Sequence, residues 1–315
     1  MMNARVIAIV LLAAALVAPW VAYPVFLMTA LCFALFACAF NLLLGYAGLM
    51  SFGHAMFFGM AAYVFGHTVK EWGWPPELGL LAGVAGAAML GAVTGALAIR
   101  RQGIYFAMIT LAFSQMIYFF CVQAPFTHGE DGLQGIPRRA LLGGLLEVKD
   151  DRAMYYVVLV IFLFGFAAIY RIIHSPFGQV LKAIRENEPR AVSLGYNATL
   201  YKWIAFILSS ALAGLAGATK AMVLQFATLT DVTAAMSGEV VLMALIGGLG
   251  TLTGPVVGAF AIITMQNYLA ATGEWVLIIQ GAIFVVVVLA FRKGVVGEIG
   301  GLLRTRGKPG AGASG

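Results

Sequence analysis

Charged side chains are scarce in this sequence, since Asp, Glu, Lys and Arg together make up 10% of its 315 residues. An ordinary soluble domain carries roughly 25%. Hydrophobic residues reach 62% instead, an excess that a soluble globule could not hide in its core. The 38 glycines point the same way, because small residues let helices approach closely in lipid. The composition excludes an ordinary soluble protein and indicates an integral membrane protein.

Cysteine is also rare, and all three residues (Cys32, Cys38 and Cys121) fall in apolar stretches. We therefore expect neither a disulfide framework nor a thiolate metal site. The sequence has no Walker A pattern, no G-x-G-x-x-G that opens a helix, no H-E-x-x-H and no C-x-x-C. Acids and histidines do not group as an active site requires, apart from one short loop at 128–131. No catalytic, cofactor-binding or metal-binding residues are expected, and hence no enzyme.

The formal net charge of +6 raises the question of a nucleic-acid partner. The basic residues stand at the ends of apolar segments, however, and do not form one basic face. Positive charge in alternate loops is typical of membrane proteins, in which lysine and arginine stay on the cytoplasmic side. No nucleic-acid partner is therefore expected.

Apolar runs long enough for a helix to cross the hydrocarbon, about 20 residues each, recur along the chain. They predict an all-α polytopic fold of about ten transmembrane helices. The predicted spans are 6–22, 25–44, 54–70, 78–99, 104–122, 153–170, 202–222, 233–249, 255–271 and 275–291. The first run also resembles a secretory signal peptide, an alternative that the sequence leaves open.

Threading ten spans places the arginine-rich loops on one side, which should be the cytoplasm, together with both termini. Residues 1–295 are then one transmembrane domain, and 296–315 form a flexible cytoplasmic tail rich in glycine and alanine. Segment 171–202 is a long basic cytoplasmic loop. Segment 123–152 is an external loop, in which positive and negative charges are balanced.

Five stretches resemble the M-type permease of the Liv branched-chain amino acid importers, and the likeness extends from about residue 35 to 295. They are 41–54 (NLLLGYAGLMSFGH), 103–112 (GIYFAMITLA), 129–136 (GEDGLQGI), 175–195, and 237–243 (SGEVVLM) continuing to 247–255 (GGLGTLTGP). The resemblance implies an ABC-importer permease fold with broken helices near the pathway, in the bacterial inner membrane.

The same resemblance implies four further components: a sister permease of the LivH type, two cytoplasmic ATP-binding subunits that carry ATP and Mg, and a periplasmic solute-binding protein. The expected cargo is leucine, isoleucine and valine. Relatives that carry urea, short amides or aromatic acids are the alternative. An ion-coupled secondary transporter is a further alternative, which would need its own coupling-ion site.

Two glycine clusters are the first candidates for the pathway. Gly45, Gly48, Ser51 and Gly53 lie between two spans, either as a broken helix with free backbone groups or as a tight cytoplasmic turn. Gly247 and Gly248 open the second cluster. The spacing of Leu42, Gly48 and Leu49 recurs at 242, 248 and 249, which hints at an internal repeat.

Glu239 is the acid that stands out within an apolar segment, and such residues are functional candidates by default. It lies either on the pathway or at a helix start, where the dipole favours a carboxylate. His54 is similarly open, since a polar residue that bridges two helices would explain it equally well. Glu130 and Asp131 in the external loop could receive the binding protein, or belong to an ordinary solvated loop.

Segment 171–202 is expected to be the coupling loop that docks on an ATPase subunit. Ser175 and Pro176 have the form of an N-cap and a first helical residue, which predicts a helix to about 187. A second helix should run from 189 to 194 and end at Gly195. Ala191 and Gly195 match the last alanine and the glycine of the E-A-A-x-x-x-G loop of ABC permeases. Pro189 and Arg190 stand where that loop has its glutamate and first alanine, so the role of the glutamate either passes to Glu188 or is lost. The alternative is a basic loop attracted to lipid head groups.

Overall fold

The computed structural model describes residues 4–141, 150–269 and 275–290, together with 294, 297 and 298. These residues are mostly helical. The helices are α1 (Ala4–Val21), α2 (Pro24–Asn41), α3 (His54–Lys70), α4 (Pro76–Ala98), α5 (Ile104–Gln123), α6 (Asp151–Ile173), α7 (Pro176–Glu186), α8 (Glu188–Ser193), α9 (Ala198–Leu224), α10 (Ala234–Gly247), α11 (Gly254–Leu269) and α12 (Trp275–Ala290). A π-helix, Leu42–Ala47, extends α2.

Strand structure in the described part of the chain is a two-residue ribbon, in which β1 (Leu133–Gln134) pairs antiparallel with β2 (Phe226–Ala227). Three short 3-10 turns flank the ribbon, at Pro125–Thr127, Gly129–Asp131 and Leu229–Val232. The all-α polytopic membrane fold predicted from composition is confirmed, and each of the ten predicted spans corresponds to a helix.

Five helices are long and apolar enough to cross a bilayer by themselves, namely those at Pro24–Ala47, Pro76–Ala98, Ile104–Gln123, Asp151–Ile173 and Ala198–Leu224. Others are shorter: α10 has 14 residues and α11 has 16. At 1.5 Å per residue, these two helices reach about 21 and 24 Å, less than the roughly 30 Å of hydrocarbon. Neither helix is therefore long enough by itself to cross the hydrocarbon.

Helix α2 lies at the centre of the bundle, buried along nearly its whole length. It packs against α6, α9, α10 and α11, while α3 and α4 close around α9. Glycines on α4 permit that closure, because a Cβ on Gly83 would lie 2.9 Å from the Ala61 carbonyl oxygen, and one on Gly91 would lie 2.7 Å from Ser210 Cβ. Small residues thus bring α4 against α3 and α9 within one chain.

The loops gather at two ends of the bundle. At the ribbon end, Lys70 Nζ donates to the Gln134 carbonyl (2.9 Å) and an Arg138 nitrogen donates to the Val223 carbonyl (2.9 Å). At the α7–α8 end, the Gln102 and Lys202 side chains both donate to Glu188. The loops at each end are those that the ten-span topology places on the same side of the membrane.

Two predictions fall in part on residues outside the described ranges. The flexible tail at 296–315 is described only at 297 and 298, and the external loop at 123–152 is described except for 142–149. Helix α1, whose removal as a signal peptide was the alternative, lies against α6. There, Tyr155 Oη donates to the Ala15 carbonyl at 2.7 Å.

Candidate translocation and coupling site

The first glycine cluster interrupts the chain between α2 and α3. The π-helix ends at Gly48, whose φ of 72° is the left-handed conformation that glycine adopts at no steric cost. Irregular backbone follows until α3 begins at His54. A Cβ on Gly48 would lie 3.1 Å from Arg185 Cγ of α7, so the break begins at the α7–α8 end.

The same break then returns into the bundle. His54 Nε2 lies 2.8 Å from Ser209 Oγ of α9, eleven residues (209 − 198) beyond the first residue of that helix. At 1.5 Å per residue this is about 16 Å along α9. The segment therefore combines the two interpretations that the sequence left open, since it turns at the α7–α8 end and re-enters the bundle before α3 starts.

Several polar atoms of this break are bonded within the protein, while His54 Nδ1 is buried without a hydrogen-bond partner. Gly53 N donates to Ser51 Oγ (3.3 Å), Ala55 N donates to Ser237 Oγ of α10 (3.0 Å), and Ser209 donates to the Ala39 carbonyl (2.6 Å). Ser51 and His54 are completely buried. His54 thus bridges α3 and α9, the structural alternative considered for it. A pathway role for Ser51, Gly53 and His54 stays a prediction.

The second glycine cluster joins α10 to α11. Gly248 caps α10 with φ 114°, and Gly250 has φ 73°. Gly254 N then donates to Thr251 Oγ1 at 3.1 Å as α11 begins. A Cβ on Gly247 would lie 2.8 Å from the Pro255 nitrogen, so glycine is required there for the close approach of two backbones. Gly248 and Gly48 both follow a helix with positive φ, but their ψ values of 113° and 20° differ, so the repeat that the spacing hinted at stays a prediction.

Asn41, which the sequence analysis did not single out, holds the two breaks together. Its Oδ1 accepts from Gly250 N at 3.0 Å, and its Nδ2 donates to the Thr251 carbonyl at 2.8 Å. The side chain is 3% exposed. Gly45 fits against the same loop, because a Cβ there would lie 2.7 Å from Gly250 N. In the sequence, the feature that could have identified Asn41 is its position as a polar amide at the end of an apolar run.

Glu239 lies within α10 and is partly buried. Its alternative role at a helix start is wrong, because α10 begins at Ala234 and is capped by Thr233, whose Oγ1 accepts from Met236 N. The Glu239 side chain contacts Gln266 of α11. Gln266 also borders an open groove of about 390 Å³ between α2 and α11 that is lined by Tyr23, Val25, Phe26, Thr29, Phe33, Ile263, Gln266 and Asn267.

A buried ion pair was missed from the sequence. Lys220 Nζ of α9 lies 2.9 and 2.7 Å from the two carboxylate oxygens of Asp231, and the side chains are 7% and 3% exposed. Lys220 also lies over the Phe226 ring at 4.6 Å, and Thr228 N donates to Asp231. Asp231 lies in the 3-10 turn before α10, and a pathway role for Glu239 stays a prediction. A lysine inside an apolar span was the signal.

The two helices expected in the coupling loop are present. Ser175 Oγ accepts from Gly178 N (3.3 Å) at the start of α7, with Pro176 as its first residue. Asn187 caps α8 through Arg190 N (3.1 Å), and Gly195 follows α8 with φ 90°. These local predictions are confirmed to within a residue or two, while docking on an ATPase stays a prediction.

Contacts within segment 171–202 give Ala191 and Glu188 roles inside their own chain. Ala191 is 2% exposed and packs with Ile184 and Ala198, so its small size serves the packing of α7, α8 and α9 rather than an external cleft. Glu188 Oε2 accepts from Lys202 Nζ at 2.7 Å and from Gln102 at 3.0 Å, and so ties the loop to its own chain. The exposed apolar side chains around α8 are Val192, Leu194, Tyr196 and Leu200.

At the ribbon end, Glu130 and Asp131 occupy a 3-10 turn that follows His128, and both are exposed. The Asp131 carbonyl accepts from Gln134 Nε2 (3.2 Å), which attaches the turn to β1. Their role in receiving a binding protein stays a prediction. Within the described residues, no group of three or more His, Cys, Asp or Glu side chains could hold a metal ion.

Comparison with known proteins gives three findings. A family model described as "Branched-chain amino acid transport system / permease component" matches residues 22–288. The high-affinity branched-chain amino acid transport system permease protein LivM of Escherichia coli (strain K12) is 26% identical over 276 residues, which cover 79% of this chain and 64% of that protein. LivM of Salmonella typhimurium is 25% identical over the same lengths. The chain thus matches less than two thirds of these relatives, and no solved structure matches it.

Proposed function

Since the chain belongs to the permease-component family of branched-chain amino acid transport systems, we propose that it is one permease subunit of an ATP-driven importer for leucine, isoleucine and valine. It forms part of the membrane path together with a LivH-type sister permease. ATP and Mg are bound and ATP is hydrolysed by two partner subunits, and a periplasmic binding protein delivers the solute. The alternative cargo is urea, a short amide or an aromatic acid.

The α7–α8 end is cytoplasmic in this proposal, and both termini lie on the same side of the inner membrane. The arginine-rich loops support this orientation, because lysine and arginine near span ends stay inside. Reporter fusions at residues 101 and 140 and at the C-terminus should read inside, outside and inside. An external C-terminus would contradict the proposed orientation.

The ATP-binding subunits dock on α7 and α8. Val192 and Leu194 are 53% and 70% exposed at this end, beside basic residues that keep the surface out of lipid. Apolar side chains on a loop surface are typical of a protein interface when a polar rim surrounds them. This patch, defined by Val192, Leu194 and Tyr196, is the contact proposed for an ATPase subunit.

The solute path borders the two glycine breaks and the face of α10 that carries Glu239. A zwitterionic amino acid needs partners for its ammonium and its carboxylate, and the irregular backbone from Gly45 to Gly53 and at Gly247 and Gly248 provides carbonyl and amide groups. At the opposite end, Glu130 and Asp131 take part in docking the binding protein, since complementary charges raise the encounter rate.

The observation that carries the proposal is that α7, the first helix of a capped pair with α8, packs directly against the first glycine break. Its test is reconstitution in liposomes with and without the ATP-binding subunits. Leucine should accumulate only with those subunits and ATP. Uptake by the chain alone under a proton or sodium gradient would instead favour a secondary transporter, for which the buried pair of Lys220 in α9 and Asp231 in the following 3-10 turn should be tested first.

A further inference from the structure

Arg185, in the last turn of α7, reaches both glycine breaks with one side chain. Its guanidinium donates to the Gly45 carbonyl in the π-helix. Its Cγ lies 3.1 Å from the position of a Cβ on Gly48, and its Nη1 lies 3.4 Å from the position of a Cβ on Gly250. The Arg185 side chain thus lies beside Gly48 and Gly250, where a Cβ would crowd it, and is bonded to the Gly45 carbonyl.

The acceptor explains why an arginine suits this place. The end of a helix leaves its last carbonyl groups without intrahelical partners and carries partial negative charge. Here Leu49 N bonds to the Leu43 carbonyl at 3.2 Å, across the last turn of the π-helix. The Gly45 carbonyl is then available to a donor from outside, and a guanidinium supplies both the hydrogen bond and the opposite charge.

The π-helix is attached to the second break, so the two are expected to move together. Asn41 is bonded to Gly250 N and to the Thr251 carbonyl, as described above, and a Cβ on Gly250 would lie 3.3 Å from the Gly45 carbonyl oxygen. Lys182 strengthens the contact of α7 with the same turn, since its Nζ lies 5.6 Å over the Tyr46 ring.

The helix that carries Arg185 moves together with α8 and the start of α9. Ile184, Ala191 and Ala198 pack as one buried cluster, and Glu188 is paired with Lys202. A displacement of α8 by a docked subunit is therefore passed to α7 as a rigid shift.

We propose that Arg185 is the positioning residue that transmits movement of α7 and α8 to both glycine breaks, so that ATP hydrolysis in a docked subunit changes the conformation of the path. This proposal rests on the proposed function. It concerns coupling and not assembly, because the docking patch around Val192 and Leu194 does not include Arg185.

The test uses the complete transporter, purified with its ATP-binding subunits and reconstituted with its binding protein. Arg185→Ala should keep the ATPases bound and lower the leucine taken up per ATP hydrolysed by about tenfold, the factor that corresponds to about 1.4 kcal/mol of lost coupling. Arg185→Lys, which keeps the charge and most of the reach, should recover most of that ratio. Arg101→Ala is the matched control, because Arg101 is an exposed basic residue at the same end in the α4–α5 loop.

A structural role alone would lower the amount of protein but leave the ratio of uptake to hydrolysis unchanged, so an unchanged ratio in Arg185→Ala would overturn the proposal. If Arg185→Ala does not accumulate in the membrane, Arg185→Gln and Arg185→Lys are compared instead. Only the glutamine variant should take up less leucine per ATP hydrolysed, and equal values for the two variants would contradict the proposal. Failure of the proposed function looks different, because the wild-type chain would then show no ATP-dependent uptake at all.

Discussion

The Lys220–Asp231 pair gives the sharpest stability prediction. The side chains are 7% and 3% exposed, and Lys220 Nζ contacts both carboxylate oxygens. Removal of one member of such a pair leaves an uncompensated charge in a low-dielectric interior and typically costs about 3–5 kcal/mol. We therefore expect Asp231→Leu to lower the free energy of unfolding by about 3 kcal/mol or more.

Lys220→Met should cost less than Asp231→Leu. Without the lysine, Asp231 still accepts from Thr228 N at 3.3 Å and caps the 3-10 turn. Without the aspartate, the Lys220 ammonium keeps only its contact with the Phe226 ring and has lost its carboxylate partner. The double replacement Lys220→Met with Asp231→Leu should recover much of the loss, since exchanging a whole buried pair for apolar residues is often neutral or stabilising.

The measurement is unfolding of the purified chain in mixed micelles of mild detergent and sodium dodecyl sulfate, analysed as a double-mutant cycle. The control is Asp151→Asn, which breaks the ion pair with Arg138. Asp151 is 40% exposed, so we expect a loss below about 1 kcal/mol. The reasoning is refuted if the Lys220 and Asp231 effects are additive in the double variant, or if each single loss is no larger than that of the control.

Three further outcomes follow from the glycines and the docking patch. Gly195→Asn should retain uptake, whereas Gly195→Val should lower it. The φ of Gly195 is 90° and nothing lies within 4 Å of its Cβ position, so the cost of valine is backbone strain of about 1–3 kcal/mol and not a clash. Equal uptake by the two variants would contradict this. Gly45→Ala should reduce uptake severalfold, since its Cβ would lie 2.7 Å from Gly250 N, whereas Gly86→Ala, with its nearest neighbour at 3.7 Å, should not. Val192→Asp should abolish co-purification of the ATP-binding subunits while Val192→Ile retains it; normal co-purification of the aspartate variant would place the docking surface elsewhere.

The local sequence rules predicted helices well where the signal is contained in a few neighbouring residues. Ser175 followed by Pro176 predicted both the cap and the first residue of α7, and the left-handed Gly195 after α8 was expected from the same kind of rule. The ten spans followed from the length of apolar runs. These features depend on the residues themselves and on the thickness of the bilayer, so the sequence suffices.

Features that depend on residues far apart in the chain could not be predicted in the same way. Asn41 is bonded to Gly250 and Thr251, which follow it in the chain by 209 and 210 positions. Arg185 contacts Gly45, from which it is separated by 140 positions. The burial of Ala191 is another case, since its small size is explained by Ile184 and Ala198 and not by a partner's cleft. A single sequence gives residue types at such positions but does not show which of them meet.

Part of each break is buried, and this bears on how a path could open. Irregular backbone at membrane depth is tolerated only where protein or water satisfies it. Here Ser51, His54 and Asn41 are buried: Ser51 accepts from Gly53 N within its own segment, while His54 Nε2 and Asn41 are bonded to α9 and to the second break. If the solute path borders the breaks as proposed, α2, α3 and α10 have to separate before a solute meets these groups. Because packed interfaces are bistable rather than continuously deformable, we expect the separation to be driven at a point that touches both breaks. Among the described residues, the α7 helix is such a point: its Arg185 lies against Gly45, Gly48 and Gly250 at once.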